Sequence, residues 1–213
     1  MSTIVKICGL STEPTLSAAL DAGADMVGFN FFPPSPRFVA LERAAALAEH
    51  ARGRALRVAV VVDLDDAALA AILASVGIDA LQLHGKETPA RVAAIKARFS
   101  LPIIKALGVS SAPDCARIVD YADVADQLLL DAKPPKGAIL PGGNGVAFDW
   151  TLTRALPWTK PWLLSGGLDP GNVAEALRLS NAPGVDVSSG VESAPGVKDV
   201  AKIAAFVRAA KAL

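Results

Sequence analysis

Cysteine is scarce in this chain: Cys8 and Cys115 are the whole supply among 213 residues. They lie in unlike contexts and form no paired-cysteine spacing, so a dithiol redox motif, a thiolate zinc site and a disulfide framework are excluded, and both thiols are expected to be reduced. Histidine is equally thin, at His50 and His84. No histidine-rich metal centre is expected, and no Ser-His-Asp order stands out. An excess of either charge is missing as well, since 21 Lys plus Arg face 21 Asp plus Glu. Nothing therefore draws the chain broadly to nucleic acid or to an anionic membrane, and neither is expected as a partner, although a small anionic ligand remains open. Hydrophobic residues make up 52% of the sequence, yet no apolar run reaches the roughly 18 residues that suggest a membrane span. The start, Met1 to Lys6, moves straight into strand-like sequence without a basic leader, a long apolar core or a cleavage site. No secretory signal is expected, and the cytoplasm is the default location.

What is present is a rhythm of short apolar runs, each followed by a helical pattern, with no composition break that would mark a linker. The runs are Ile4 to Ile7, Asp25 to Phe29, Arg57 to Val62, Ala80 to Leu83, Pro102 to Ala106, Leu128 to Leu130, Trp162 to Leu164 and Gly184 to Val187. Short apolar runs of this kind suit strands buried on both faces of a parallel sheet. Between them, Leu69, Ile72, Leu73 and Val76 fall on one helical stripe, as do Val200, Ile203, Ala204 and Val207, and Val92, Ile95 and Phe99. Asp169-Pro170 resembles an N-cap followed by proline at the first helical position. The series predicts parallel β/α units, either open and doubly wound or closed; eight strands favour closure into a (β/α)8 barrel, a single domain over residues 1–213.

In such a barrel chemistry collects at the carboxyl rim, where strands end and loops begin. The first strand delivers Lys6-Ile7-Cys8-Gly9-Leu10 to that rim, and alternation puts Lys6 and Cys8 on one face and Val5 and Ile7 on the other. Gln82 and His84 share a parity in the fourth strand, Lys105 follows Ile103-Ile104, and Asp131 follows Leu128-Leu129-Leu130. With strands closing in order, the first and sixth are three steps apart, so Cys8 and Asp131 would face each other across the mouth. A thiolate takes a proton and a carboxylic acid gives one, which makes this pair a candidate base and acid. A positive neighbour such as Lys6 would favour the Cys8 thiolate.

Glycine-bearing turns follow the last three strands: Gly142-Gly143-Asn144-Gly145, Ser165-Gly166-Gly167 and Ser188-Ser189-Gly190. Glycine lets peptide N–H groups approach an oxygen-rich anion, and the loops after strands seven and eight of β/α barrels frequently form a phosphate site. Gly166, Gly167, Ser189 and Gly190 occupy those loops, so they are the expected phosphate contacts. Phe32-Pro33-Pro34-Ser35-Pro36-Arg37 is a proline-stiffened loop carrying one guanidinium, suited to a carboxylate; a solvated loop arginine is the alternative.

These segments together resemble the phosphoribosylanthranilate isomerase family: KICGL at the start, FPPSPR after strand two, LQLHG at strand four, LLLD at strand six, GGNG-VAFDW beyond it, LLSGGLDPGNV, and DVSSGVESAPGVKD near the end. They run through nearly the whole chain in the family's order. The resemblance implies a (β/α)8 barrel that converts N-(5'-phosphoribosyl)anthranilate to 1-(2-carboxyphenylamino)-1-deoxyribulose 5-phosphate in tryptophan biosynthesis, an Amadori rearrangement that uses no cofactor and no metal. It implies Cys8 as general base, Asp131 as general acid, Arg37 on the anthranilate carboxylate, and Gly166, Gly167, Ser189 and Gly190 in the phosphate clamp. The partner implied is a small phosphosugar, with the protein expected as a monomer and a homodimer left open. Asn144 departs from the pattern, standing where threonine is common. Two other readings stand beside this one: the related aminoaldose isomerase of histidine biosynthesis, whose first strand ends in aspartate rather than cysteine, and a phosphosugar-binding barrel without activity.

Overall fold

Each apolar run becomes a strand, and each strand bonds to the next in chain order until the last meets the first. The computed structural model describes every residue except Met1, Pro135, Lys136, Ile139, Val146, Ala155, Pro157 and Leu213. Its barrel is closed and parallel: β1 (Ile4–Cys8), β2 (Met26–Asn30), β3 (Leu56–Val61), β4 (Ala80–Leu83), β5 (Ile103–Val109), β6 (Gln127–Ala132), β7 (Trp162–Leu164) and β8 (Gly184–Val187). The expected (β/α)8 architecture is therefore the observed one. The anticipated strands differ from these by a few residues at their ends, with β5 running on to Val109.

Alternation along the strands separates two environments. Val5, Ile7, Val27, Phe29, Leu81, Ile103, Leu128 and Leu164 point outward into the layer between barrel and helices, the larger apolar core. Met26, Val58, Ala80, Ile104, Ala106, Leu129 and Leu163 point inward and fill one end of the barrel. Each fully buried Leu or Phe contributes roughly 1.5–3 kcal/mol relative to exposure, so both sets hold the strands in register. Toward the carboxyl end the interior turns polar, with Lys6, Gln82 and Asp186 buried. Register puts Lys6 beside Met26 on one flank and Asp186 on the other, and Cys8 beside Gly28.

Lys105 corrects the sequence reading. It lies within β5 rather than at its end and has the outward parity of Ile103 and Leu107. There it is buried, donating to the Leu83 and Gly85 carbonyls and to Glu87 Oε2 at 2.8 Å. It braces the loop after β4 and does not line the mouth.

The outer layer comprises α1 (Glu13–Asp21), α2 (Leu41–Ala51), α3 (Asp66–Ser75), α4 (Pro89–Phe99), α5 (Ala112–Ala116), α6 (Val173–Ser180) and α7 (Val200–Lys211). Thr88 caps α4 by accepting from the Arg91 amide, with Pro89 next, and Asp199 caps α7 by accepting from Lys202. The buried stripe of α7 is Ile203, Phe206, Val207 and Ala210; Val200 is 49% exposed, so the stripe sits further along than the spacing predicts. Asp169 does not cap α6 directly. Its carboxylate takes the Gly171 and Asn172 amides in a turn, and the helix begins at Val173. Between β6 and β7 the described residues form only a 3₁₀ turn, Trp150–Thr153. Pro134, Pro141 and four glycines in this stretch explain why no helix forms there, since both residue types disfavour helix interiors. After β8 comes a small antiparallel hairpin, β9 (Glu192–Ala194) and β10 (Val197–Lys198).

Candidate active site

Cys8 ends β1 with its side chain inward and 7% exposed. Lys6, two residues earlier on the same face, donates to Asp186 Oδ1 at 2.7 Å, and Asp186 Oδ2 accepts from Ser165 Oγ at 3.2 Å. Gly28 leaves the space beside them free: a β-carbon there would lie 3.1 Å from Cys8 Sγ and 3.2 Å from Lys6 Nζ. Burial pushes the Cys8 thiol up, and the Asp186 carboxylate adds to this, while Lys6 and Lys198 act in the opposite sense. The expected cation is in place beside the sulfur, but burial outweighs it and the resting thiol is protonated at neutral pH. Burial also works against the Lys6 charge, yet the Asp186 carboxylate, joined by the Cys8 sulfur once that ionises, outweighs it and holds the ammonium above its usual range.

Asp131 projects inward from β6 and is 5% exposed. Its Oδ1 accepts from the Ala132 amide at 2.9 Å, and its Oδ2 lies 3.3 Å from His84 Nε2. Gly142 packs so closely over both groups that a β-carbon there would collide with Asp131 Oδ2 and His84 Nε2. A side chain there would have to displace the carboxyl or the ring.

Arg37 is buried, contrary to the solvated alternative, at 6% exposure. Its Nε donates to Glu192 Oε1 at 2.7 Å and its Nη2 to Glu192 Oε2 at 3.0 Å and to the Gly143 carbonyl at 3.3 Å. Glu192 comes from β9, and its Oε1 also accepts from Lys198 Nζ of β10 at 2.8 Å. Lys198 reaches on to the Ser188 carbonyl at 2.8 Å, which ties the loop after β8 to the arginine. Burial works against the Glu192 charge, but the Arg37 hydrogen bond and the Lys198 ammonium overcome it and hold the carboxyl below its usual range. Burial dominates at Lys198 and lowers its ammonium despite Glu192.

The turns after β7 and β8 complete the mouth. Gly166 and Gly167 both have positive φ, 88° and 66°, and a β-carbon on either would press into the backbone at Ala132 or Ala147. Asn172 Nδ2 donates to the Gly167 carbonyl at 2.8 Å and pins the turn ahead of α6. Ser189 and Gly190 belong to the 3₁₀ turn that follows β8.

One open cleft, enclosing about 720 Å³ with part of that in solvent, is lined by Cys8, Arg37, Asp131, Gly166, Gly167 and Ser189 among others. Six of the seven residues expected from sequence to act on or bind the substrate thus meet at one cavity; Gly190 lies one position beyond its lining. A second cleft shares Phe32, His84, Asp131, Leu140 and Pro141 with the first, so the space continues past the acid. Among the described residues, no three His, Cys, Asp or Glu side chains converge as a metal site would require.

The sequence reading did not single out Glu192, Lys198 and Asp186. The signal for Asp186 is its register with Lys6 across β1 and β8, and for Glu192 it is the rule that a buried guanidinium has an anionic partner. Both become readable once the strands are paired.

The chain matches the family model described as N-(5'-phosphoribosyl)anthranilate isomerase over residues 5–209. It is 62% identical to the N-(5'-phosphoribosyl)anthranilate isomerase of Rhodopseudomonas palustris over 208 residues, covering 98% of this chain and 95% of that protein. Its fold superposes on the crystal structure of phosphoribosyl anthranilate isomerase from Thermotoga maritima with a TM-score of 0.87 and 35% identity, covering 99% of this chain and 100% of the other. A further crystal structure, of phosphoribosyl anthranilate isomerase in complex with reduced 1-(o-carboxyphenylamino)-1-deoxyribulose 5-phosphate, matches with a TM-score of 0.83 and 33% identity, over 99% of this chain and 100% of that one.

Proposed function

Because the chain belongs to the N-(5'-phosphoribosyl)anthranilate isomerase family, we propose that Cys8 is the general base and Asp131 the general acid of that family's reaction. The protein is an isomerase of tryptophan biosynthesis: it converts N-(5'-phosphoribosyl)anthranilate to 1-(2-carboxyphenylamino)-1-deoxyribulose 5-phosphate by an Amadori rearrangement.

Asp131 gives its proton to the ribose ring oxygen as the anthranilate nitrogen pushes its lone pair toward C1′. The ring C–O bond breaks, leaving an iminium. The positive nitrogen withdraws electrons from the adjacent C2′–H bond, so the Cys8 thiolate can remove that proton without a metal or an organic cofactor. The resulting enolamine tautomerises to the ketone. Arg37 takes the anthranilate carboxylate through the guanidinium edge that Glu192 leaves free, and the turns carrying Gly166, Gly167, Ser189 and Gly190 take the phosphate. Holding both ends of the substrate fixes the reacting carbons between thiol and carboxyl, which is where binding energy becomes rate.

The observation carrying this reading is the convergence of Cys8 from β1 and Asp131 from β6 on a cleft that also holds Arg37 and the glycine turns. Residues 1–213 are taken as one catalytic domain, because the cleft draws on both ends of the chain. No helix of the described residues is long and apolar enough to cross a membrane. The cytoplasm is the proposed location, and a monomer the proposed state, because no separate assembly segment is apparent in the sequence; sedimentation at enzyme concentrations of an assay checks the latter, with a homodimer as the other outcome.

The direct test follows anthranilate-type fluorescence after purified protein is added to freshly made substrate. The wild-type chain is expected to quench it, and Asp131→Asn and Cys8→Ala to do so slower by roughly 10²-fold to 10⁴-fold, the scale of a positioned acid or base. Undiminished turnover in both variants sinks the assignment.

A further inference from the structure

The geometry points to His84 as a positioning residue for the acid: its Nε2–H, oriented by Gln82, faces the Asp131 carboxyl and closes on it as that carboxyl gains negative charge. This inference rests on the reading of Asp131 as the proton donor.

Gln82 and His84 lie two positions apart and share the inward parity of β4. The Gln82 amide Nε2 lies 2.8 Å from His84 Nδ1. An amide N–H donating there makes Nδ1 an acceptor, so in the neutral ring the hydrogen sits on Nε2. That Nε2 is buried without a hydrogen-bond partner, although Asp131 Oδ2 is only 3.3 Å away. The distance is within reach and the alignment falls short of a formed bond. A buried N–H with no acceptor is costly, and catalytic hydrogen bonds are often loose until substrate arrives.

The surroundings direct this N–H to one acceptor. Val60 and Val62 from the β3 side line the first cleft with His84, and Ala106 and Gly108 from β5 line the second. The Asp131 carboxyl is the titratable group within reach of the ring nitrogen; Asp63 and Lys86 line the second cleft near it, and Lys105 points to the other side of the sheet. Gly142 backs onto both Asp131 Oδ2 and His84 Nε2.

When Asp131 passes its proton to the sugar oxygen, the bond from Nε2–H becomes a bond to an anion while the histidine keeps its own proton. An interaction that grows only as charge develops favours the transition state over the ground state. Its loss therefore shows in kcat more than in KM.

The experiment compares His84→Ala and His84→Gln, each alone and combined with Asp131→Asn, and reads the imidazole ¹⁵N shifts by NMR, where only His50 and His84 contribute. His84→Ala is expected to lower kcat about 10-fold to 100-fold, the worth of one hydrogen bond to a charged group, with KM little changed. His84→Gln keeps an N–H donor and is expected to recover most of the loss. In the Asp131→Asn background the same histidine change is expected to cost little more, because its route to the reaction is already gone. Full turnover in folded His84→Ala, an equal loss in both backgrounds, or a His84 ring carrying its proton on Nδ1 each overturns the inference. Undiminished turnover in Asp131→Asn alone instead defeats the acid assignment itself. If His84→Ala does not fold, the glutamine variant and the wild-type tautomer still decide.

Discussion

Arg37 and Glu192, 155 positions apart in the chain, meet in a two-point ion pair whose N···O distances are 2.7 and 3.0 Å. Both side chains are buried, so neither charge is screened by water. The pair consumes the Nε–Nη2 edge of the guanidinium and presents the remaining Nη1 toward Gly143, where a β-carbon would come within 2.8 Å of it. Glu192→Gln keeps the shape and removes the negative charge. It is expected to raise KM about 10-fold to 100-fold, the scale of a hydrogen bond between charged groups, with a smaller change in kcat because the chemistry is elsewhere. Steady-state kinetics that find kcat falling and KM unmoved would contradict the arginine's binding role.

The same carboxylate links stability to acid. Its pKa in the folded chain lies below the usual glutamate range, so folding favours the ionised form. The stabilisation is fully present above the unfolded value, about 4.3, and is lost as pH falls through the lower folded value. Glu192→Gln has no such group. Urea midpoints measured downward from neutral pH are therefore expected to fall more steeply in the wild type than in the variant below about pH 5, the two curves converging.

Lys6 and Asp186 form a second buried pair, with side-chain exposures of 0% and 4%. Removing one partner leaves the other charged and unsolvated, which typically costs about 3–5 kcal/mol, whereas replacing both by apolar groups is often near neutral. Lys6→Met is thus expected to be strongly destabilised in chemical denaturation and Lys6→Met/Asp186→Leu to recover most of the loss. Equal stability of Lys6→Met and wild type would mean that the Asp186 carboxyl takes a proton at little cost.

Much of this architecture is legible before any coordinates, for a physical reason. A strand covered by helices outside and packed inside is apolar throughout, so β1 to β8 stand out as runs, and alternation then puts Cys8 inside and Val5 and Ile7 outside. Asp131 and the glycine turns follow from their places at strand ends. What escapes is tertiary. The parity of Lys105 depends on where β5 begins, and its true partner, Glu87, lies in another loop. The hairpin that brings Glu192 and Lys198 to Arg37 has too little local pattern to announce itself, with strands of three and two residues. The turn at Asp169 uses capping chemistry without capping, because the same carboxylate bonds satisfy any two free amides ahead of a helix.

The state of Cys8 supplies the last prediction. A base must be deprotonated to act, yet burial and the Asp186 carboxylate raise this thiol, with Lys6 and Lys198 in partial opposition. A raised pKa leaves less thiolate at neutral pH than an ordinary cysteine has, so kcat/KM for wild type is expected to climb with pH from neutral into the alkaline range. Alkylation reads the same equilibrium without turnover, since only the thiolate reacts. Peptide-resolved labelling of Cys8 by iodoacetamide should therefore show a midpoint above the roughly 8.5 of a free thiol. Asp186→Asn removes the carboxylate that raises the thiol and frees Lys6 to act on sulfur alone, so it should move that midpoint down. A Cys8 that labels with a midpoint near neutrality would instead mean that the ammonium prevails over burial, and the alkaline rise in kcat/KM would then have to come from another group.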